Sequence, residues 1–294
     1  MLLNLFYDID NFCKAFSRFW RRFLLNNGLA KRIKSCGLCL SEIMTILVYF
    51  HTSGFRTFKD YYIKYVNQHL KNEFPGLVSY NRFVELMQGT LVPLMVFLRR
   101  CRMGKVTGIS FVDSTILKVC DNHRIHNHKT FKGLAQRAKT SMGWFYGFKL
   151  HLIVNEKGDL LSTMLTPGNV DDRNQSLMAK LTKNILGKLF GDKGYLSAKL
   201  FKFLFKRGIQ LITKLKNNMA NKLMPLIDKI LLRKRAVIES INDELKNVCQ
   251  IEHTRHRSPV NFLVNLCSGL VAYTFLPKKP SIRFQEAYQF NLLG

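Results

Sequence analysis

The apolar residues change period partway along the chain. Up to about residue 105 they recur at helical spacing. In LSEIMTILVYFHTSGF, Ile43, Ile46, Leu47 and Phe50 share one face, Ser41 is suited to cap the start and Gly54 to end it. FKDYYIKYVNQHL repeats the pattern, Pro75-Gly76 interrupts it, and SYNRFVELMQGTLVPLMVFLRR resumes it. From about residue 106 the texture is that of strands. Thr107–Val119 is rich in β-branched residues, and Trp144–Val154 and Leu160–Thr166 are strand-like runs around the turn Asn155-Glu156-Lys157-Gly158. Asp171 or Asp172 can cap a helix reaching about Leu186, and Lys188–Phe190 leads as a short strand into GDKGY. A helix over Ser197–Arg207, a strand over Ile209–Thr213 and a long helix from about Leu226 to Val248 follow. Three strands in meander followed by alternating helices and strands predict an α/β domain with a mixed sheet over residues 106–294, behind a helical domain over residues 1–105.

Ser258–Pro277 carries no formal charge over twenty residues, a length that would span a bilayer. Asn261, Asn265, Ser268 and Gly269 dilute it, so the expectation is a buried helix that closes a core, and no membrane partner. The N-terminal MLLNLFYDIDNFCKAF holds Asp8 and Asp10 in its apolar run and no basic flank, unlike a signal peptide. Seven scattered cysteines suit a reducing cytosol. Cys36-Gly-Leu-Cys39 is a lone CxxC, better read as packed helix cysteines than as a zinc site.

Charge narrows the class. Across 294 residues, 46 Lys+Arg against 19 Asp+Glu leave a net +27, and every successive stretch of about fifty residues is positive. With 47% hydrophobic residues, the composition excludes generic disorder. A globular chain with a broad positive field attracts polyanions, nucleic acid first and ribosomal or anionic membrane surfaces second. The basic helices of residues 1–105 make a DNA-binding module or an ordinary bundle, with no recognition helix legible.

In so basic a chain, acids inside apolar strands call for explanation, because a buried carboxylate needs a partner or a metal. Asp113 lies in the body of Ile109-Ser110-Phe111-Val112-Asp113-Ser114-Thr115, and Asp192 directly follows Leu189-Phe190-Gly191. Two carboxylates from neighbouring strands suit Mg²⁺, which prefers oxygen ligands and keeps waters for a phosphate. The helix after residue 226 offers a third. At about 100° per residue, Arg235, Glu239, Asn242 and Lys246 fall on one face, with Val237, Ile241, Leu245 and Val248 opposite and Glu244 on the apolar side. The plain alternative is a solvated helix face with a Glu–Arg pair. Three acids around paired Mg²⁺ fit phosphodiester chemistry, with Arg235 and Lys246 contacting phosphates.

Other candidates are weaker. Asp171-Asp172 reads as helix caps before it reads as a metal site. His123, His126 and His128 with Lys129 and Lys132 form a basic loop facing DNA, and Lys149 and His151 face either a groove or solvent. His253, Arg255, His256 and Arg257 form a cluster suited to phosphate. Lys193, beside Asp192, and Asn242 complete the candidate DNA contacts. Trp144, Phe145, Tyr146 and Phe148 read as core aromatics before base-stacking platforms.

The order Asp113, Asp192, Glu239, with Arg235 three intervening residues before the Glu and Lys246 six after it, resembles the DDE transposases of bacterial insertion sequences. The subclass it looks like carries a Tyr-Arg-Glu-Lys signature, and Leu232 stands where the Tyr would fall. The likeness extends through VSYNRFVEL, FVDST, GWFYGFKLHLIV, LTPGNVDDR, GDKGY, RAVIESINDELK and IEHTRHRSP, and several separated motifs in one order are more specific than any one of them. It implies an RNase H-like core and Asp113, Asp192 and Glu239 as ligands of two Mg²⁺, with Mn²⁺ able to substitute. Arg235, Lys246, Asn242, Lys193, His253, His256 and Arg257 are the implied or candidate DNA contacts. The implied partners are double-stranded DNA at inverted-repeat ends and at the target, with a homodimer as the active complex. The implied location is the bacterial cytoplasm, on the nucleoid when bound. A structure-specific nuclease or resolvase with the same core, and a catalytically silent DNA-binding protein, are the competing readings.

Overall fold

The computed structural model describes residues 1–28, 36–140, 143–214, 224–252 and 256–282. Among them two compact units are distinguished, one within Met1–Arg102 and Glu244–Leu276 and one within Met103–Asp243 and the described residues from Pro277 onward.

The first unit is helical. It contains α1 (Leu2–Asn26), α2 (Leu40–Phe50), α3 (Phe58–Asp60), a π-helical run Tyr61–Val66, α4 (Asn67–His69), α5 (Tyr80–Met87), α6 (Leu91–Phe97) and a π turn Leu98–Arg102. Cys39, not Ser41, caps α2: the Glu42 carboxylate accepts the Cys39 N–H at 2.6 Å, as in a capping box. Ser41, already inside the helix, instead donates to Asp10 Oδ1 at 2.8 Å and ties α2 to α1. Thr57 and Ser79 cap α3 and α5 through their side chains. Cys36 and Cys39 are exposed thiols outside any helix interior, contrary to their reading as packed helix cysteines, because the chain there is still entering α2.

The second unit is built on a six-stranded sheet of β1 (Ile109–Cys120), β2 (Gln136–Thr140), β3 (Gly143–Asn155), β4 (Leu160–Pro167), β5 (Gly187–Gly191) and β6 (Ile209–Thr213). β1, β3 and β4 form an antiparallel meander, and β5 and β6 run parallel to β1 on its other side. This is the mixed sheet of the expected RNase H-like order. The addition is β2, which pairs with the first residues of β3. Gln-Arg-Ala-Lys-Thr is too polar to announce a strand, and only pairing to a neighbour makes it one.

The sheet's helices are α7 (Gln175–Leu181), α8 (Ala198–Phe205), α9 (Leu226–Arg233) and α10 (Ala236–Asp243). Val112, Ile153 and Leu189 from the sheet bury one face against Met178, Leu181, Leu200 and Leu204 of α7 and α8. Because strand side chains alternate, burying Val112 on that face turns Asp113 to the other, where α10 packs against β1. The buried Asp228 of α9 accepts from Lys188 of β5 at 2.7 Å, fixing that helix to the sheet. The expected cap for α7 is corrected: Asn174, not Asp171 or Asp172, accepts the Leu177 N–H, and the helix stops at Leu181.

The single long helix expected from Leu226 to Val248 is three pieces. α9 ends at Arg233, α10 follows a short turn, and Glu244–Val248 widens into a π turn closed by the Cys249 N–H to Glu244 carbonyl bond at 2.9 Å. The wider turn shifts the helical register, so Val248 is exposed while Leu245 and Cys249 are buried.

α11 (Pro259–Thr274), capped by Ser258, is the uncharged stretch, and it is buried along most of its length. Among the described residues no helix is long and apolar enough to cross a membrane. It packs with α2 and α6, so the division expected at residue 105 is corrected: residues 244–276 belong to the compact helical unit. Apolar area is the reason, since the helical unit supplies the faces that cover α11. Arg102 reinforces the join, donating to Thr274 Oγ1 at 3.1 Å and to Asp8 at 3.0 Å. Gly269 permits the close approach, since a Cβ there would lie 2.4 Å from Ile251 Cγ2 and 3.3 Å from His51 Nδ1.

Candidate active site

β1, the end of β5 and α10 bring three acids to one face of the sheet. Asp113 sits mid-strand, opposite Leu152 of β3, with the stacked rings of Phe111 and Phe190 in the neighbouring strands. Asp192 is the first residue beyond β5, and Glu239 lies in the first turn of α10. Burial pushes the Asp113 carboxyl up to about 6. The Arg235 cation and a bond from the Ser114 N–H pull it down, and the charges of Glu239 and Asp192 push it further up. Asp113 therefore feels both of the other carboxylates.

Arg235 stands among them. Its Nη2 bonds Glu239 Oε1 and lies 3.8 Å from Asp192 Oδ1, while Nη1 has no partner. Its side chain is only 13% exposed, against 51% for Asp192 and 58% for Glu239, so the cation is buried between two acids that face solvent. Among the described residues no three His, Cys, Asp or Glu side chains are drawn close enough to hold a metal ion, and a guanidinium occupies the space between them. The donor set nonetheless fits a hard divalent cation. It is all carboxylate oxygen, and it contains one buried acid whose carboxyl is raised for want of positive charge.

Asn242 departs from expectation. It was grouped with the DNA-facing residues of its helix, yet it is buried and its Nδ2 donates to Asp113 Oδ2 at 3.1 Å, leaving Oδ1 without a partner. The buried stripe of α10 is Val237, Ile238, Ile241 and Asn242, so the helix is rotated relative to the wheel drawn from sequence. Lys246 lies within the π turn, where a count of 100° per residue no longer holds, and it pairs with Glu252 at 2.9 Å. Lys193 is exposed beside Asp192. Arg257 is exposed, whereas burial lowers the His256 imidazole to about 4 and its ring packs edge-on against Phe262, so it is neutral at pH 7. His253 and Arg255 lie outside the described residues.

The second acidic pair is already satisfied. Asp171 accepts from the Arg173 backbone and guanidinium, and those bonds lower its carboxyl to about 2. Asp172 meets Lys149 at 3.2 Å and the His151 ring at 3.7 Å. His151 is buried and held down to about 4, and its Nε2 is bonded to Thr166 Oγ1, so the contact with Asp172 is that of a neutral imidazole. The loop His123, His126 and Lys129 is exposed. Phe145, Tyr146 and Phe148 are buried, and Trp144 is half exposed under the Arg137 guanidinium at 4.6 Å. Sequence reasoning missed Tyr195. Its buried hydroxyl lies within electrostatic reach of both Asp113 and Asp172, and burial raises it well above the ordinary phenol range. The signal was available in the last letter of GDKGY.

A mixed sheet in this strand order, flanked by helices, is the RNase H-like fold expected from sequence. A family model described as "Transposase DDE domain" matches residues 103–259, more than half of the chain, and the chain belongs to that family. No curated protein sequence matches it. A solved structure, the cryo-EM piggyBac transposase synaptic complex with hairpin DNA, is similar over 83% of this chain and 67% of its own, at 12% identity and a TM-score of 0.47.

Proposed function

We propose that the chain is a transposase of the bacterial insertion-sequence type that nicks double-stranded DNA at inverted-repeat ends and joins the freed 3′-hydroxyls to target DNA. The observation that carries this reading is the convergence of three acids and Arg235 on one sheet face, in a chain of the transposase DDE family. Asp113, Asp192 and Glu239 are the residues that would hold two Mg²⁺, or Mn²⁺ in their place. Such metal, when bound, supplies Lewis acidity that lowers the pKa of an attacking water or hydroxyl and stabilises a leaving oxygen.

The chain's own side chains do the rest. Asn242 holds the Asp113 carboxylate in one orientation. Arg235, buried among the acids, keeps a positive charge beside the place where the scissile phosphate would sit. Lys193 and Arg257 add exposed cations, and Lys246 joins them by exchanging Glu252 for phosphate. His256, being neutral, contributes a hydrogen bond and no charge. Residues 1–105 bind the element ends, residues 106–243 supply the chemistry, and a homodimer brings two ends together. The protein works in the bacterial cytoplasm, on the nucleoid when bound.

The deciding experiment incubates the full chain with a linear fragment carrying candidate inverted-repeat ends, with and without Mg²⁺. Metal-dependent joined products are expected. Cleavage without joining would select a nuclease or resolvase, and a mobility shift without products would select a silent binder.

A further inference from the structure

A cavity of about 850 Å³ lies within the helical unit, and every residue lining it belongs to that unit. Two stretches that carry the family likeness meet there, away from any part in the acid set: Tyr80, Asn81 and Val84 of VSYNRFVEL, and His256 and Arg257 of IEHTRHRSP. The volume is within the roughly 300–1,000 Å³ of ordinary ligand sites.

The cavity is graded from a charged mouth to a neutral floor. Lys59 and Arg257 line it with exposed cationic side chains. Asn81, second in α5, and Asn261, third in α11, bring in the first turns of two helices, whose positive dipole ends favour an anion. Phe50, Phe58 and Tyr80 supply aromatic wall, with the Phe58 and Tyr80 ring centroids 6.5 Å apart. Deeper lie Asn265 and Ser268 of α11, 7% and 0% exposed, and neither Asn265 Nδ2 nor Ser268 Oγ has a hydrogen-bond partner. Buried polar atoms without partners are costly, and a ligand with polar edges recovers that cost. His51 and His256 also line the cavity, and burial holds both imidazoles down to about 4, so they add no charge, and His51 is already bonded to the Cys249 carbonyl.

A bare anion has no use for the aromatic wall or the amide floor, and an apolar ligand has none for the cations. We propose that this cavity binds a nucleotide, with its phosphate at Lys59 and Arg257, its base against Phe58 and Tyr80, and the base's polar edge toward Asn265 and Ser268. Stacking on aromatic rings and hydrogen bonding to the exposed edge is how proteins hold a base outside a duplex. That the nucleotide belongs to DNA, as an unpaired base or a strand end, rests on the transposase reading. The class of ligand does not.

The test titrates the full chain with 2′-deoxyadenosine 5′-monophosphate, with inorganic phosphate, and with a duplex holding one unpaired 2-aminopurine, whose fluorescence falls on stacking. Saturable nucleotide binding is expected, at least about tenfold tighter than phosphate. Arg257→Ala, Lys59→Ala and Tyr80→Leu should each weaken it about tenfold or more. The two cation changes are at exposed positions, so they keep the fold, and circular dichroism checks this for all three. Quenching of the 2-aminopurine that Tyr80→Leu abolishes assigns the site to DNA, and nucleotide binding without quenching assigns it to free nucleotide. Equal affinity for phosphate and nucleotide, or nucleotide affinity unchanged in all three variants, overturns the proposal. Asp113→Asn separates the two readings, because it should end DNA cleavage and leave nucleotide affinity unchanged. A parent that cleaves DNA ends but binds no nucleotide sinks the cavity proposal alone. A parent that binds nucleotide but never cleaves DNA sinks the transposase reading alone.

Discussion

Asp171 and Asp172 follow β4, while Asp113, Asp192 and Glu239 gather where β1, the end of β5 and α10 meet. Asp171 is held down to about 2 by Arg173, and Asp172 is shared between Lys149 and His151. Asp113 is pushed the other way, to about 6, because burial and two neighbouring carboxylates outweigh one Arg235. The first group has as much positive charge as it needs. The second is short of it, and two of its members are half exposed. A carboxylate that has spent its charge on a local cation is structural; one left wanting a cation is where an added ion and a phosphate have something to gain.

Substitutions at the two groups should therefore diverge. Asp113→Asn should reduce end cleavage by about 10³-fold or more, since a Lewis acid worth several kcal/mol is lost at 1.4 kcal/mol per tenfold, while end binding stays within a few-fold. Full cleavage by this variant in a Mg²⁺-dependent assay would remove Asp113 from the site. Asn242→Ala should cost about 10–100-fold and raise the Mg²⁺ concentration for half-maximal activity, as expected for a residue that orients a ligand. An unchanged metal requirement would return Asn242 to a packing role.

The Asp172 neighbourhood should show itself in stability instead. His151 is depressed to about 4 from an ordinary 6.5, so its contribution is complete above pH 6.5 and is lost as the pH falls through 4. Denaturant titrations at pH 7 and pH 4 should find His151→Gln losing less than the parent over that interval, by on the order of 2 kcal/mol. Equal losses would show that the ring is not held neutral there. Lys246→Ala should flatten the salt dependence of end binding by about one counterion, and an unchanged slope would leave Lys246 with Glu252. The smallest effect belongs to Asp171→Asn. Its depressed carboxyl stabilises above about pH 3.8 and ceases to as the pH falls through about 2, but the side chain is 54% exposed and screened. The expected loss at pH 7 is under about 1 kcal/mol, with cleavage unchanged. Lost cleavage would make the two acidic groups equivalent and undo the comparison.

Much of this was legible in the chain because side-chain alternation is a local property. β1, β3, β4, β5 and β6 all lie within or close to the runs predicted for them, while β2 was hidden by the polarity of Gln-Arg-Ala-Lys-Thr. The helix holding Glu239 was legible as apolar periodicity. Its breaks were not, because a π turn has no sequence signature as clear as Gly or Pro. Asn242 was assigned outward by its wheel position, and only the docking of α10 on β1 reveals it turned inward to Asp113. Leu232, where the signature Tyr would fall, is buried in α9.

The sequence by itself determined the mixed sheet, the helical first hundred residues, the broad positive charge and the three acids in order. These depend on period, composition and spacing, which neighbours along the chain impose on one another. Only tertiary structure decided that residues 244–276 join the helical unit, that Arg235 rather than open space lies among the acids, and that VSYNRFVEL and IEHTRHRSP close around one cavity. Those outcomes depend on which apolar faces cover one another and on where burial leaves a charge or an amide unpaired, and contacts between residues more than a hundred positions apart set both.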